Sequence, residues 1–330
     1  MNNYVFLSNG QFIEAEKKRR FMSAQARVTV PLFMMFGIST GCSVLLFIAS
    51  ALFPDMMTNT VGIEITEAAM YLAYLSIPVF TFGLISGKRI TSYFTVRRGG
   101  RHKVAMFFTG LGIIYFGQYV AVIVSDLLSG AGVDTSSGAY TERDIGLMIF
   151  RFVYISVFPA ILEELLTRGI VLGELLPYGK GFAVVVSGAV FALMHMNLVQ
   201  FPFTFLAGVA MAYAALYCGS LRVSMLLHFT NNFLSVLFMY LPTFISDEWS
   251  IFIEATVSAA IFICGIAGAI YLMVNKDKDD IERKARCVNV CETDKVDMRT
   301  SPLKNVSPLL YVFAVLSVIM AIIEAVLSSL

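Results

Sequence analysis

Two adjacent glutamates, an arginine, two histidines and two asparagines lie inside stretches that are otherwise apolar. ILEELLTRGI holds Glu163, Glu164 and Arg168, FALMHMN holds His195, and LLHFTNNF holds His228, Asn231 and Asn232. The whole chain has three histidines, and two of them are here. A carboxylate in an apolar cavity can take a proton from water and hand it to a leaving amine. An imidazole and a carboxamide can donate to the oxyanion that forms when that water attacks a carbonyl. The chemistry these residue types support together is hydrolysis of an amide bond.

Helical spacing sorts them, because residues four apart share a face and adjacent residues point about 100° apart. Glu164 and Arg168 pair, which leaves Glu163 to face a cavity as the general base. His228 and Asn232 project together as oxyanion donors, and Phe191 and His195 project together, with His195 orienting the water or bonding Glu163. Each residue also has a plainer reading. Glu164 with Arg168 can be a buried ion pair that fixes its helix. A single intramembrane His or Asn is often interhelical glue. Asn231 suits helix packing, and Phe191 a cavity wall. Arg151, Asp126, Gln118, Glu254 and Glu324 also lie in or near apolar runs without any pattern. Pro159, one turn before Glu163, predicts a kink and a freed carbonyl that opens space for water. Glu163, His195 and His228 would equally make a His₂Glu zinc site.

The elements that must position these groups are transmembrane helices. The chain has 330 residues, 58% of them hydrophobic and 14% charged, with mean hydropathy +0.77, which excludes an ordinary water-soluble globule. A bilayer core of about 30 Å takes about 20 apolar residues per helix. Nine stretches qualify: 28–53, 66–86, 104–128, 145–166, 182–196, 203–217, 225–241, 251–274 and 308–330. Long runs without dyad alternation argue against a barrel, so the expected fold class is all-α, a polytopic transmembrane helical bundle of eight to nine spans. Lys17, Lys18, Arg19, Arg20 and Arg27 precede the first span, and Lys88, Arg89, Arg97, Arg98, Arg101 and Lys103 follow the second, which predicts a cytoplasmic N-terminus and an external C-terminus. The expected organisation is a basic N-terminus (1–27), N-terminal transmembrane helices (28–144), a catalytic core (145–241) and C-terminal helices (242–330) with a cytoplasmic linker (275–306). No signal peptide is visible, and the first span is expected to direct insertion. Cys42, Cys218, Cys264, Cys287 and Cys291 form no secretory disulfide pattern and are expected to be free thiols. The formal net charge of +1 implies no nucleic-acid partner.

EExxxR (Glu163, Glu164, Arg168), FxxxH (Phe191, His195) and HxxxN (His228, Asn232) in this order resemble the CPBP (Abi) family. These are the CAAX-processing and bacteriocin-processing membrane proteases that include the type II CAAX prenyl endopeptidase. The similarity covers about residues 158 to 238. It implies an intramembrane endopeptidase in which Glu163 is the catalytic base and His195, His228 and Asn232 stand in the cavity. It implies a metal-independent glutamate protease with no cofactor, while an older reading of the family as metalloproteases keeps zinc as the alternative. The expected partners are the bilayer and a hydrophobic peptide or protein C-terminus, prenylated in one branch of the family. Two other readings differ in kind. A non-catalytic immunity or peptide-binding scaffold would keep the fold without cleavage, and a transporter would show repeated broken-helix segments, which the sequence lacks. The short fifth and sixth stretches and the uncharged 197–202 connection predict a hairpin that stops within the membrane and carries His195 to the depth of His228.

Overall fold

The computed structural model describes residues 9–54, 60–87, 102–130, 132–133, 143–275 and 306–327. These form nine helical elements: α1 (Asn9–Leu52), α2 (Thr60–Ser86), α3 (Lys103–Gly130), α4 (Ile145–Tyr178), α5 (Lys180–Leu193), α6 (Phe201–Cys218), α7 (Leu221–Tyr240), α8 (Asp247–Val274) and α9 (Pro308–Leu327). Seven are long and apolar enough to cross a bilayer; α5 and α9 are shorter in the apolar stretch they offer. The chain is an all-α, multi-pass membrane bundle. Its outer surface fits lipid and not water, with Phe47, Leu84 and Val274 each more than 70% exposed.

Two helices run further than hydropathy alone indicates. The basic residues Lys17 to Arg20 do not form a tail before α1 but lie within it, and 44 residues at about 1.5 Å each make a rod of about 66 Å. Its stretch from Phe21 to Arg27 docks on the end of α4, where the Phe21 ring lies 4.6 Å from Tyr178 and Arg27 donates to Glu174 at 2.8 Å. The fourth span continues past Leu166 to Tyr178, because nothing in LTRGIVLGELL stops a helix until Pro177 and Gly179, whose φ of 138° only glycine adopts readily.

Helix α4 is not uniform. Asp144 caps it by accepting from the Leu147 amide at 2.8 Å, and it widens into π-helix at Val153–Val157 and again at Leu165–Leu172. The α-helical turns between them, Phe158–Glu164, carry Pro159 and both glutamates.

Helices α5 and α6 pack as a hairpin, but of the two stretches expected to be short only α5 is, since α6, with 18 residues, is long and apolar enough to cross a bilayer. With 14 residues, α5 is about 21 Å long, well short of the bilayer core. The two helices touch at Gly188 and Gly208, where a Cβ on Gly208 would stand 2.8 Å from the Gly188 Cα and 2.9 Å from its carbonyl oxygen. Ser220 caps α7 by accepting from the Arg222 amide. One apolar core gathers Phe21, Leu32, Leu75, Leu166 and Ile170; a second gathers Met106, Ile114, Phe191, Met211 and Leu227, and Met194 packs against both.

Cys42, Cys218 and Cys264 are free thiols, as expected. Cys287, Cys291, the basic residues from Lys88 to Arg101 and most of the 275–306 linker lie outside the described residues.

Candidate active site

Glu163, His195, His228 and Asn232 border one cavity of about 370 Å³, with Asn231 and Phe191 in its wall. Glu163 comes from α4, His228 and Asn232 from α7. His195 comes from the turn after α5, which ends at Leu193. Phe191 holds the two imidazoles in register, its ring 4.9 Å from His195 and 5.4 Å from His228.

The two glutamates have unlike surroundings. Glu164 is fully buried and saturated: one oxygen accepts from Arg168 Nη1 at 2.7 Å and from His228 Nδ1 at 3.1 Å, and the other accepts from the Ser224 hydroxyl. Arg168 also donates to the Thr167 hydroxyl (2.7 Å) and to the Gly208 carbonyl (2.8 Å), with its guanidinium 4.5 Å over the Phe191 ring. The pair therefore joins α4 to α6 and α7, and beyond the ion pair Glu164 also holds the cavity residue His228 through Nδ1. Glu163 accepts from the Tyr71 hydroxyl at 2.7 Å through Oε1. Its Oε2 has no hydrogen-bond partner among the described residues and stands 3.8 Å from His228 Nε2. A buried carboxylate oxygen without a donor is costly in a fold, and it is suited to hold or abstract a proton.

The imidazole tautomers follow from their partners. A carbonyl only accepts, so His195 Nδ1, 2.7 Å from the Phe191 carbonyl, carries a hydrogen. His228 Nδ1 donates to Glu164 on the same logic. In both rings Nε2 is the nitrogen left for the cavity. On a neutral ring it accepts; His228 Nε2 donates only when the ring carries both protons.

Asn232 is oriented from both ends. Pro159 has no N–H, so the Ile155 carbonyl four residues earlier loses its helical donor. That carbonyl instead accepts from Asn232 Nδ2 at 2.9 Å. The freed carbonyl expected from the sequence thus accepts from the site's own amide. Asn232 Oδ1 accepts from Asn231 Nδ2 (3.0 Å), and Asn231 Oδ1 accepts from Gln118 Nε2 on α3 (3.0 Å). One hydrogen of Asn232 Nδ2 is spent on Ile155, and the second remains. Asn231 does more than pack, since it turns Asn232.

Four contributors carry no sequence pattern that assigned them. Thr167 lies four residues after Glu163 and donates to its backbone carbonyl at 2.6 Å. Ser224, His228 and Asn232 repeat every four residues along α7, a periodicity that was there to find. Tyr71 and Gln118 come from α2 and α3, and no local spacing links them to the three motifs.

The zinc alternative requires Glu163, His195 and His228 to converge on one point. Among the described residues, no group of three or more His, Cys, Asp or Glu side chains is arranged to hold a metal ion.

Residues 145–234 match the family described as Rce1-like, type II CAAX prenyl endopeptidase Rce1-like. Residues 163 to 232, which hold all three motifs, fall inside that segment. The chain is 26% identical over 220 residues to the membrane-embedded CAAX protease MroQ of Staphylococcus aureus (strain USA300), covering 60% of this chain and 88% of that protein. No solved structure matches. The chain is thus similar to the Rce1-like CAAX proteases over residues 145–234 and to a membrane-embedded CAAX protease over most of that protein's length, within a multi-pass helical bundle.

Proposed function

We propose that the chain is a glutamic endopeptidase that cleaves a peptide bond in a hydrophobic, membrane-associated peptide, with residues 145–241 as its catalytic core. The observation that supports this is the lone Oε2 of Glu163, bordering the same cavity as two imidazoles and an anchored carboxamide. Water bound there gives one proton to Glu163 Oε2 and points its other hydrogen at His195 Nε2, which accepts because Nδ1 is committed as donor. The hydroxide so formed attacks the scissile carbonyl carbon. The oxyanion takes the second hydrogen of Asn232 Nδ2 and, from the doubly protonated ring, His228 Nε2–H. As the tetrahedral intermediate collapses, the C–N bond breaks and Glu163 passes its proton to the departing nitrogen, leaving an amine and a carboxylic acid whose remaining water-derived proton is then lost to solvent or to the amine. The remaining wall combines apolar Ile114, Phe203, Ala207 and Met211 with the uncharged Tyr154 and Thr204, which suits uncharged side chains beside the scissile bond.

The test is Glu163→Gln in the full chain reconstituted in vesicles, assayed with fluorescence-quenched apolar peptides. The expected loss of kcat is about 10²- to 10⁴-fold, as for removal of a general base. Cleavage undiminished by this substitution would overturn the reading. Activity that survives exhaustive chelation separates this mechanism from a zinc-dependent one.

A further inference from the structure

We infer that Tyr71 is a positioning residue for Glu163, so that α2, outside the family-matched segment 145–234, completes the active site. The inference rests on the glutamic-protease reading above and extends it to a helix that carries none of the three motifs.

A carboxylate has two equivalent oxygens, and a general base works best when one is held and the other is presented. Tyr71 holds Oε1 with a 2.7 Å hydrogen bond and itself lines the cavity. Its hydroxyl cannot wander, because the ring is pinned edge-on between Tyr74 (5.2 Å, 78°) and Tyr154 (5.6 Å, 86°). The consequence falls on Oε2, which is left without a donor beside His228 Nε2. Without the phenol O–H, the carboxyl group is free to rotate about its last bond, and Oε2 spends less time where water must meet it. Catalytic rates fall steeply with such misplacement. Substrate binding, which depends on the apolar wall, would be little altered.

The experiment compares kcat and KM of the full chain in vesicles, with a fluorescence-quenched apolar peptide library, for wild type, Tyr71→Phe, Tyr74→Phe and Glu163→Gln. Expected is a fall in kcat of about 10- to 100-fold for Tyr71→Phe with KM within about twofold. Tyr74→Phe, which keeps the packing face against Tyr71, stays within about twofold in both constants. Fluorotyrosine at position 71 keeps ring and hydroxyl, and it should restore at least half the activity. A folded Tyr71→Phe chain that cleaves within about twofold of wild type overturns the inference. So does a Tyr71→Phe chain that no longer melts cooperatively, which would assign Tyr71 to the fold, and so does a fluorotyrosine chain as slow as the Phe variant. Loss of activity in Glu163→Gln beside normal activity in Tyr71→Phe would sink this inference alone, whereas normal cleavage by Glu163→Gln would sink the underlying reading.

Discussion

Glu163 and Glu164 are neighbours with opposite fates, and the difference comes from what each oxygen meets. Glu164 meets a guanidinium, an imidazole N–H and a hydroxyl; Glu163 meets one phenol and a cavity. Removing the guanidinium should therefore hurt the fold before the chemistry. Arg168→Met is expected to cost about 3–5 kcal/mol, because it strands a buried carboxylate, and pairing it with Glu164→Gln should recover much of the loss. Thermal unfolding in detergent checks both. Asn232 is the converse case. Asn232→Ala should lower kcat about 10²- to 10³-fold with little change in melting temperature, while Asn231→Ala, which removes the amide that turns Asn232, should cost less; steady-state kinetics distinguish them. The i, i+4 pairs were legible because helical geometry is local. Tyr71 and Gln118 were not, because what brings them in is packing between helices far apart in sequence, which a single pattern cannot encode.

At the scale of elements, the site depends on interruptions in helices. Pro159 removes one backbone donor, and Asn232 uses the carbonyl that results. Pro159→Ala restores an N–H that competes for the Ile155 carbonyl. We expect a chain at least as stable as wild type by thermal melting, with kcat reduced about tenfold because Asn232 loses its anchor. The Gly188–Gly208 contact lets α5 and α6 approach until Arg168 reaches the Gly208 carbonyl. A valine at Gly208 meets backbone, not flexible side chain, and should destabilise the chain by about 1–3 kcal/mol and lower activity in parallel, measurable by melting and by the cleavage assay. The proline and its freed carbonyl were legible in the sequence. The π turns on either side were not, because they answer to how α4 fits its neighbours and not to residue type.

For the whole molecule, composition made the helical membrane bundle legible, since apolar length is a direct reading of bilayer thickness. It set helix ends less well, because hydropathy marks where lipid stops and not where the helix stops, as α1 and α4 show. Charge placement predicts that the N-terminus faces the cytoplasm. In a chain stripped of native thiols, a cysteine at Ser246, between α7 and α8, should react with impermeant maleimide on intact cells, and one at Lys17 only after permeabilisation. Helix α4 ties this arrangement together. Before its first π segment, Arg151 is clasped by Glu64 and Tyr240; beyond it, Glu163 stands in the cavity and Arg168 grips α6. A π turn holds one residue more than an α turn, so it sets the angular phase between these two fixed ends. Losing a single codon at Ser156 would close the bulge and keep the two ends in phase, whereas an extra codon there, taken up in α-helical geometry, would rotate one end against the other by about 100°. With the insertion the helix would survive, its circular dichroism unchanged, but it could satisfy the Arg151 clasp or present the carboxylate, not both. A gene for this protein should therefore tolerate many substitutions and a one-residue deletion in Val153–Val157, and no insertion.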